Sequence, residues 1–211
     1  MIVSETVVVI GAGGHSKVVA ATLIEAGFRV AFFLDDDEKK WGRTIFDIPV
    51  TGPIDAIKKE EKKYKAIVAI GDNSLREKMV HNYSDYFDWI SVIHPNAYVH
   101  SSVKIGKGSV IFAGAVIQPE TIIGDHVIIN TGATIDHDCK VYDFVHIAPG
   151  VNLAGGVTVQ KGSFLGIGTK VIPGVKIGSW SIVGAGSVVI NDIEAGVTAV
   201  GVPARVIKKL G

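Results

Sequence analysis

The hydrophobic pattern changes its period once along the chain. Up to about residue 90, short aliphatic runs alternate with charge-bearing stretches: TVVVIGAGG, HSKVVAATLIEAG, FRVAFFLDDD, IDAIKKEEKKYK, AIVAIGDN and SLREKMVHN. Strand-like runs followed by helix-like stretches at this spacing predict a small parallel α/β sheet. From Ile93 the helical signal stops, and every sixth residue as far as Val189 is Ile, Val or Leu, seventeen in succession without an insertion. Two places before these aliphatics runs a second row of small or β-branched residues, among them Ala97, Val103, Ser109, Thr121, Ala133, Cys139 and Ser187. Positions two apart on a strand face the same side, so both rows point inward. A six-residue unit cannot bury its own aliphatic, and successive units must therefore stack into a parallel β solenoid. The predicted division is an α/β half over residues 1–90 and an all-β half over 91–211.

A hexapeptide period of this kind resembles the left-handed, triangular parallel β-helix of hexapeptide acyltransferases. The resemblance implies three hexapeptides to a coil and supplies the left hand, since chain physics alone favours right-handed crossovers. Residues 18 apart in sequence then stack in neighbouring coils, about 4.8 Å apart. The residue before each inward aliphatic points outward. One face should present Val92, Val110, Ile128, His146, Phe164 and Ile182, and another Lys104, Ile122, Lys140, Thr158 and Lys176. The second reads as solvated. The first is a long apolar stripe, which on a soluble protein marks a packing surface and predicts a homo-oligomer, most simply a trimer.

Composition narrows the partners. The chain has 211 residues, with 21 Lys plus Arg against 21 Asp plus Glu. A neutral balance excludes a general role on nucleic acid or membrane surfaces through bulk charge. The single cysteine excludes an internal disulfide and fits a reducing compartment. No signal-like leader and no run of about 18 apolar residues is visible, so the expectation is a cytoplasmic protein without membrane insertion.

Against that background the stretch TGATIDHDCKVYDFVHIAPG stands out. His137 lies between Asp136 and Asp138, and a histidine held by a carboxylate is fixed in tautomer and made more basic, as a general base near neutral pH requires. His146 is the one polar member of the apolar stripe. The two histidines are nine residues, half a coil, apart, so their rings should point to different sides of one prism and share a site only across a subunit interface. Cys139 falls on the inward row and reads as a packed thiol rather than a nucleophile. Near the amino terminus GAGGHS begins like the dinucleotide fingerprint, where backbone N–H groups meet phosphate, but Ser16 stands in place of the last glycine.

Together VVVIGAGGHSKVV, NTGATIDHDCKVYDFVHIAPG and GVPARVIKK resemble, over nearly the whole chain, the sialic acid O-acetyltransferase (NeuD/PglD-like) family of sugar acyltransferases. The resemblance implies a Rossmann-like nucleotide-sugar-binding half, a left-handed β-helix and acetyl-CoA as acyl donor, with no metal. It implies His137 as general base, oriented by Asp138. Asn130 and His146 would lie by the thioester, Gly155 and Ile167 along the pantetheine arm, and Gly201 to Ala204, with Pro203, near the far end of acetyl-CoA. Gly13, Gly14, His15, Asp35 and Asp36 would surround the nucleotide, whereas Asp37 and Glu38 read as a solvated turn. The reaction so implied is N-acetylation of a nucleotide-linked 4-amino-4,6-dideoxy sugar, with a backbone N–H near Gly155 or the His146 ring as oxyanion donor. O-acetylation of sialic acid or another glycan sugar uses the same base, and an NAD(P)-binding oxidoreductase on a scaffolding β-helix is a more distant reading.

Overall fold

The computed structural model describes residues 5–60 and 63–210. Glu61 and Lys62 of the lysine-rich stretch, like the outermost residues of both expected halves, lie outside that range. In the first half β1 (Thr6–Ile10), α1 (Gly14–Glu25), β2 (Arg29–Leu34), β3 (Thr44–Ile45), β4 (Ile48–Gly52), β5 (Tyr64–Val68), α2 (Asn73–Asn82) and β6 (Phe87–Trp89) follow in chain order. They form one sheet in the order β3-β4-β2-β1-β5-β6, parallel except for the β3–β4 pair. Val7 to Ile10 of β1 are wholly buried, so the central strand reads as an unbroken aliphatic run, as a strand covered on both faces must.

Two parts of this half differ from the expectation. Among the described residues of IDAIKKEEKKYK, only Ile54–Lys59 is helical, as a 3-10 turn. Ile54 and Ile57, three apart, both reach the core from a turn of that pitch, and the lysines that follow offer no apolar face on which a longer helix could pack. The β3–β4 hairpin was invisible because Phe46 and Asp47 hold its turn at φ 53° and 61°, a conformation usually signalled by glycine or asparagine.

From Val92 to Val189 the chain makes two-residue strands, each ending on one of the periodic aliphatics. Those from Ile111 to Val189 are buried; Ile93, Val99 and Ile105 are more open because no coil lies beneath the first one. Polar members of the inward row are satisfied by carbonyls in the next coil: Ser109 Oγ donates to Gly124 O at 2.9 Å, Thr121 Oγ1 to Asp136 O at 2.9 Å and Ser163 Oγ to Gly178 O at 2.6 Å. Cys139 Sγ does the same toward Ala154 O at 3.2 Å, and burial pushes its thiol up to about 11, so it is packed as expected.

Three faces result. Face one stacks Val92, Val110, Ile128, His146, Phe164 and Ile182, then continues into Val197–Val200 and the antiparallel Arg205–Lys209. Face two stacks Tyr98, Val116, Thr134, Asn152, Lys170 and Val188, and face three Lys104, Ile122, Lys140, Thr158 and Lys176. The apolar stripe is not an open oligomer surface over its first four coils. Val92, Val110 and Ile128 are at most 2% exposed and share one core with Val7, Val9, Val19, Leu23 and Phe33 of the α/β half. An outward apolar row states that something covers it, and here the cover is the same chain. Only Phe164 and Ile182 remain partly open. Face three carries exposed lysines, as expected.

Candidate active site

The turn after β1 makes the first part of the site. Gly11 sits at φ +102°, where a Cβ would lie 3.1 Å from Ala69 O, so only glycine allows this close turn into α1. Gly13 caps α1 without a side-chain hydrogen bond, which leaves the first-turn N–H groups directed outward with the positive end of the helix dipole. A cleft of about 370 Å³ opens there, and Gly13, Gly14, His15, Asp35 and Asp36 all line it, joined by Lys40, Ile54, Leu75 and Met79. Asp35 is largely spent on structure. Its Oδ2 accepts from Ala12 N at 2.7 Å and Lys40 Nζ at 2.8 Å, and its Oδ1 from Asp37 N at 2.9 Å. Burial would raise the Asp35 carboxyl, but these donors outweigh it and hold it below the usual range. Asp36 Oδ1 accepts from Ile54 N at 2.9 Å, while Asp37 caps a short exposed turn through Lys39 N.

The second part flanks face two. The chain turns every six residues through a positive-φ corner; glycine fills most of these, but Asp138 holds one at φ 58°. Aspartate is among the few residues that tolerate this conformation, and it puts the carboxylate beside the preceding ring. Asp138 Oδ2 lies 2.7 Å from His137 Nδ1, and Asp136 Oδ1 accepts from His137 N at 2.8 Å. The Asp138 hydrogen bond and then the Asp136 charge raise the His137 pKa above its ordinary 6.5. The ring is well exposed and lies over Gly155 of the next coil, where a Cβ would come within 2.7 Å of its Nε2.

His137 and Gly155 therefore mark the edge where face two meets face three. Asn130 and Ile167 mark the opposite edge, where face one meets face two; Ile167 is 62% exposed. Gly201 lies against the top of face two, with Val188 N donating to Gly201 O at 3.1 Å. Asn130 and His146 are together in one chain: Asn130 Oδ1 accepts from Thr131 N at 2.9 Å, which turns Nδ2 toward His146 Nε2 at 3.2 Å. His146 Nδ1 lies 3.2 Å from Gly71 O, so Nδ1 carries the hydrogen and Nε2 accepts. Both ring nitrogens are thus engaged, which leaves no free N–H on His146 for an oxyanion. Burial first, then the charge of Arg76, lowers its pKa to about 4 and keeps it neutral.

Several contributors left no mark in the sequence pattern. Lys40 was hidden in the run DDDEKK, and Gly71 and Arg76 reach the site only through tertiary packing. Phe164 meets the His146 ring edge-on at 5.1 Å, and with Trp180 and Ile182 it lines a cleft of about 480 Å³ beside Gly71 to Ser74.

Fold and site define a hexapeptide-repeat transferase carrying a glycine-loop α/β half. Residues 6–83 match the PglD N-terminal domain family, and residues 102–137 match the bacterial transferase hexapeptide family (six repeats). The chain is 41% identical over 116 residues to the UDP-N-acetylbacillosamine N-acetyltransferase of Bacillus subtilis (strain 168), a match spanning 52% of this chain and about half, 52%, of that relative. Two solved structures align almost end to end. PerB of Caulobacter crescentus, in complex with CoA and GDP-perosamine, is 42% identical with a TM-score of 0.90, covering 97% of this chain and 98% of that one. The acetyltransferase domain of PglB from Neisseria gonorrhoeae FA1090, in complex with acetyl coenzyme A, is 36% identical with a TM-score of 0.90, covering 97% and 100%. The chain belongs to the PglD-like family of hexapeptide-repeat sugar acetyltransferases, and its solenoid is the family's left-handed β-helix.

Proposed function

We propose that this protein transfers the acetyl group of acetyl-CoA to the amino group of a nucleotide-linked 4-amino-4,6-dideoxy sugar, in clefts between copies of the chain in a homotrimer. The observation that carries the reading is the placement of the chemistry on the two opposite edges of face two. His137 and Gly155 lie on one edge; Asn130 and Ile167, with His146 beside them, lie on the other. A trimer that turns face two toward its axis apposes unlike edges of neighbouring chains, as a heterologous cyclic interface does, and assembles both halves of the site. Faces one and three are unsuited to that role, the first covered by the α/β half and the second lined by exposed lysines.

In this cleft the α1 N–H groups and the glycine loop would hold the diphosphate of the acceptor. The amine attacks the thioester carbonyl and its proton passes to His137 Nε2; as the C–N bond forms and the C–S bond breaks, the imidazolium returns that proton to the departing sulfur, so CoA leaves as its thiol. Asp138 holds the ring and stabilises the imidazolium. A backbone N–H near Gly155 is the remaining candidate for the oxyanion. The Bacillus subtilis relative and the perosamine enzyme of Caulobacter crescentus are N-acetyltransferases, which supports an amine over a hydroxyl acceptor.

The test is thiol release from acetyl-CoA with UDP- and GDP-linked 4-amino sugars and with free or CMP-linked sialic acid. Release is expected with an amino sugar, with kcat lower by about 10²–10⁴-fold in His137→Ala, the usual worth of general acid–base catalysis. Full activity in that variant would remove His137 as base, and release only with sialic acid would move the acceptor to a hydroxyl.

A further inference from the structure

Arg76, on the first turn of α2, is 1% exposed, and among the described residues no carboxylate forms an ion pair with it. A guanidinium buried this deeply is costly unless its donors are used, and burial lowers its pKa to about 10. All its contacts are neutral oxygens, and they come from both halves of the chain. Nε donates to His126 O at 3.0 Å and Nη2 to Phe144 O at 2.7 Å, both at corners of the β-helix. Nη1 donates to Ile70 O at 3.0 Å and Gly71 O at 3.4 Å, and Nη2 to Asn73 Oδ1 at 2.9 Å. Asn73 adds the next rung, its Nδ2 donating to Gly162 O at 3.0 Å. His126, Phe144 and Gly162 are 18 residues apart, so one helical turn of the α/β half grips the same corner carbonyl in three successive coils.

The grip fixes residues 70–73 against the β-helix, and with them the Gly71 carbonyl. That carbonyl faces His146 Nδ1, whose other nitrogen faces the Asn130 amide. The relay is continuous from the guanidinium to Asn130. We propose that Arg76 is a positioning residue for acetyl transfer: by holding the Gly71 carbonyl it sets which nitrogen of His146 carries the proton, and through that ring it orients the Asn130 side chain. The inference rests on the functional reading above, which places Asn130 and His146 in the reaction cleft. A simple clamp between the two halves would need the ladder of corner carbonyls but no bonds to Ile70 and Gly71.

The experiment combines nitrogen NMR of histidine-labelled protein at pH 7 with kinetics on wild type, Arg76→Gln and Arg76→Lys. In wild type His146 should be protonated at Nδ1 only. Arg76→Gln should mix the two tautomers and lower kcat on the order of 10²-fold, the usual effect of misplacing a site group by about 1 Å. The KM for acetyl-CoA should stay unchanged, and Arg76→Lys, which keeps part of the donor set, should fall between. A wild-type His146 protonated at Nε2 overturns the proposal; so does an Arg76→Gln protein that melts lower but keeps both tautomer and kcat. Should Arg76→Gln fail to fold, Asn73→Ala, which removes one acceptor of the guanidinium, carries the test, and both readouts must move together. Wild type inactive on every nucleotide-linked amino sugar would instead defeat the functional reading, since the tautomer is read without substrate.

Discussion

At the scale of single residues, the site depends on what surrounds its histidines. His137 is exposed and flanked by carboxylates that raise its pKa, whereas His15, His126 and His146 are shielded near Arg76, and burial ahead of that charge lowers them to about 4, 3 and 4. Among the described residues both ring nitrogens of His126 are buried without a hydrogen-bond partner while it stacks on Phe144 at 5.3 Å, so protonation there meets only cost. The three folded-state values lie below the unfolded value near 6.5. Their contribution to stability is therefore complete above pH 6.5 and is lost as pH falls toward 4. Denaturant unfolding at pH 7 and pH 5 should show a decline of up to about 1.4 kcal/mol per pH unit for each histidine. Equal stability at both pH values would contradict the burial described. Gly155 provides a second test at this scale. Its φ suits any residue, yet a Cβ would enter the space of the His137 ring. Gly155→Ala should leave the melting temperature nearly unchanged while kcat falls on the order of 10²-fold through displacement of that ring; wild-type kcat would show that the ring needs no such seat.

At the scale of elements, the decisive contact is the α/β half on face one. Ile128 is buried beneath it, whereas Ile122, one hexapeptide earlier on face three, is 44% exposed. Ile128→Ala should cost about 2–5 kcal/mol as a buried deletion. Ile122→Ala should stay within about 0.5 kcal/mol as a surface change. Thermal unfolding of the pair measures the difference, and equal losses would mean that face one is not covered. The same contact shows how much the sequence discloses. A six-residue period states which residues point inward, and it placed Cys139, His137 and the two faces without further help. The glycine loop between a strand and a helix was likewise legible. Neither pattern identifies the cover on an outward row, and neither reveals the ladder under Arg76, because backbone carbonyls 50 and 68 residues away carry no signature of residue type. The β3–β4 hairpin was lost for a related reason, its turn being set by Phe46 and Asp47 instead of a turn-forming pair.

At the scale of the whole molecule, the proposed division of the site between opposite edges of one face requires a neighbour. Asn130→Ala and His137→Ala should each be inactive alone and complement each other when the chains are mixed, unfolded and reassembled. In a random mixture at equal amounts, about a quarter of the clefts join an intact His137 edge to an intact Asn130 edge, so about a quarter of wild-type activity should return. No recovery would place both edges in one chain's site or leave the chain a monomer, and sedimentation separates these cases. The β-helix also restricts how such a site can change. A residue's direction advances by one face per hexapeptide, and its height by one coil, about 4.8 Å, per three hexapeptides. One extra hexapeptide between His137 and His146 would carry His146 off the face beneath Gly71; three would return it to that face one coil too far away. Distances in this site can change only in fixed steps, like teeth on a gear, so lineages that recognise a different sugar are expected to vary the loops of the α/β half while the count of sixes stays constant.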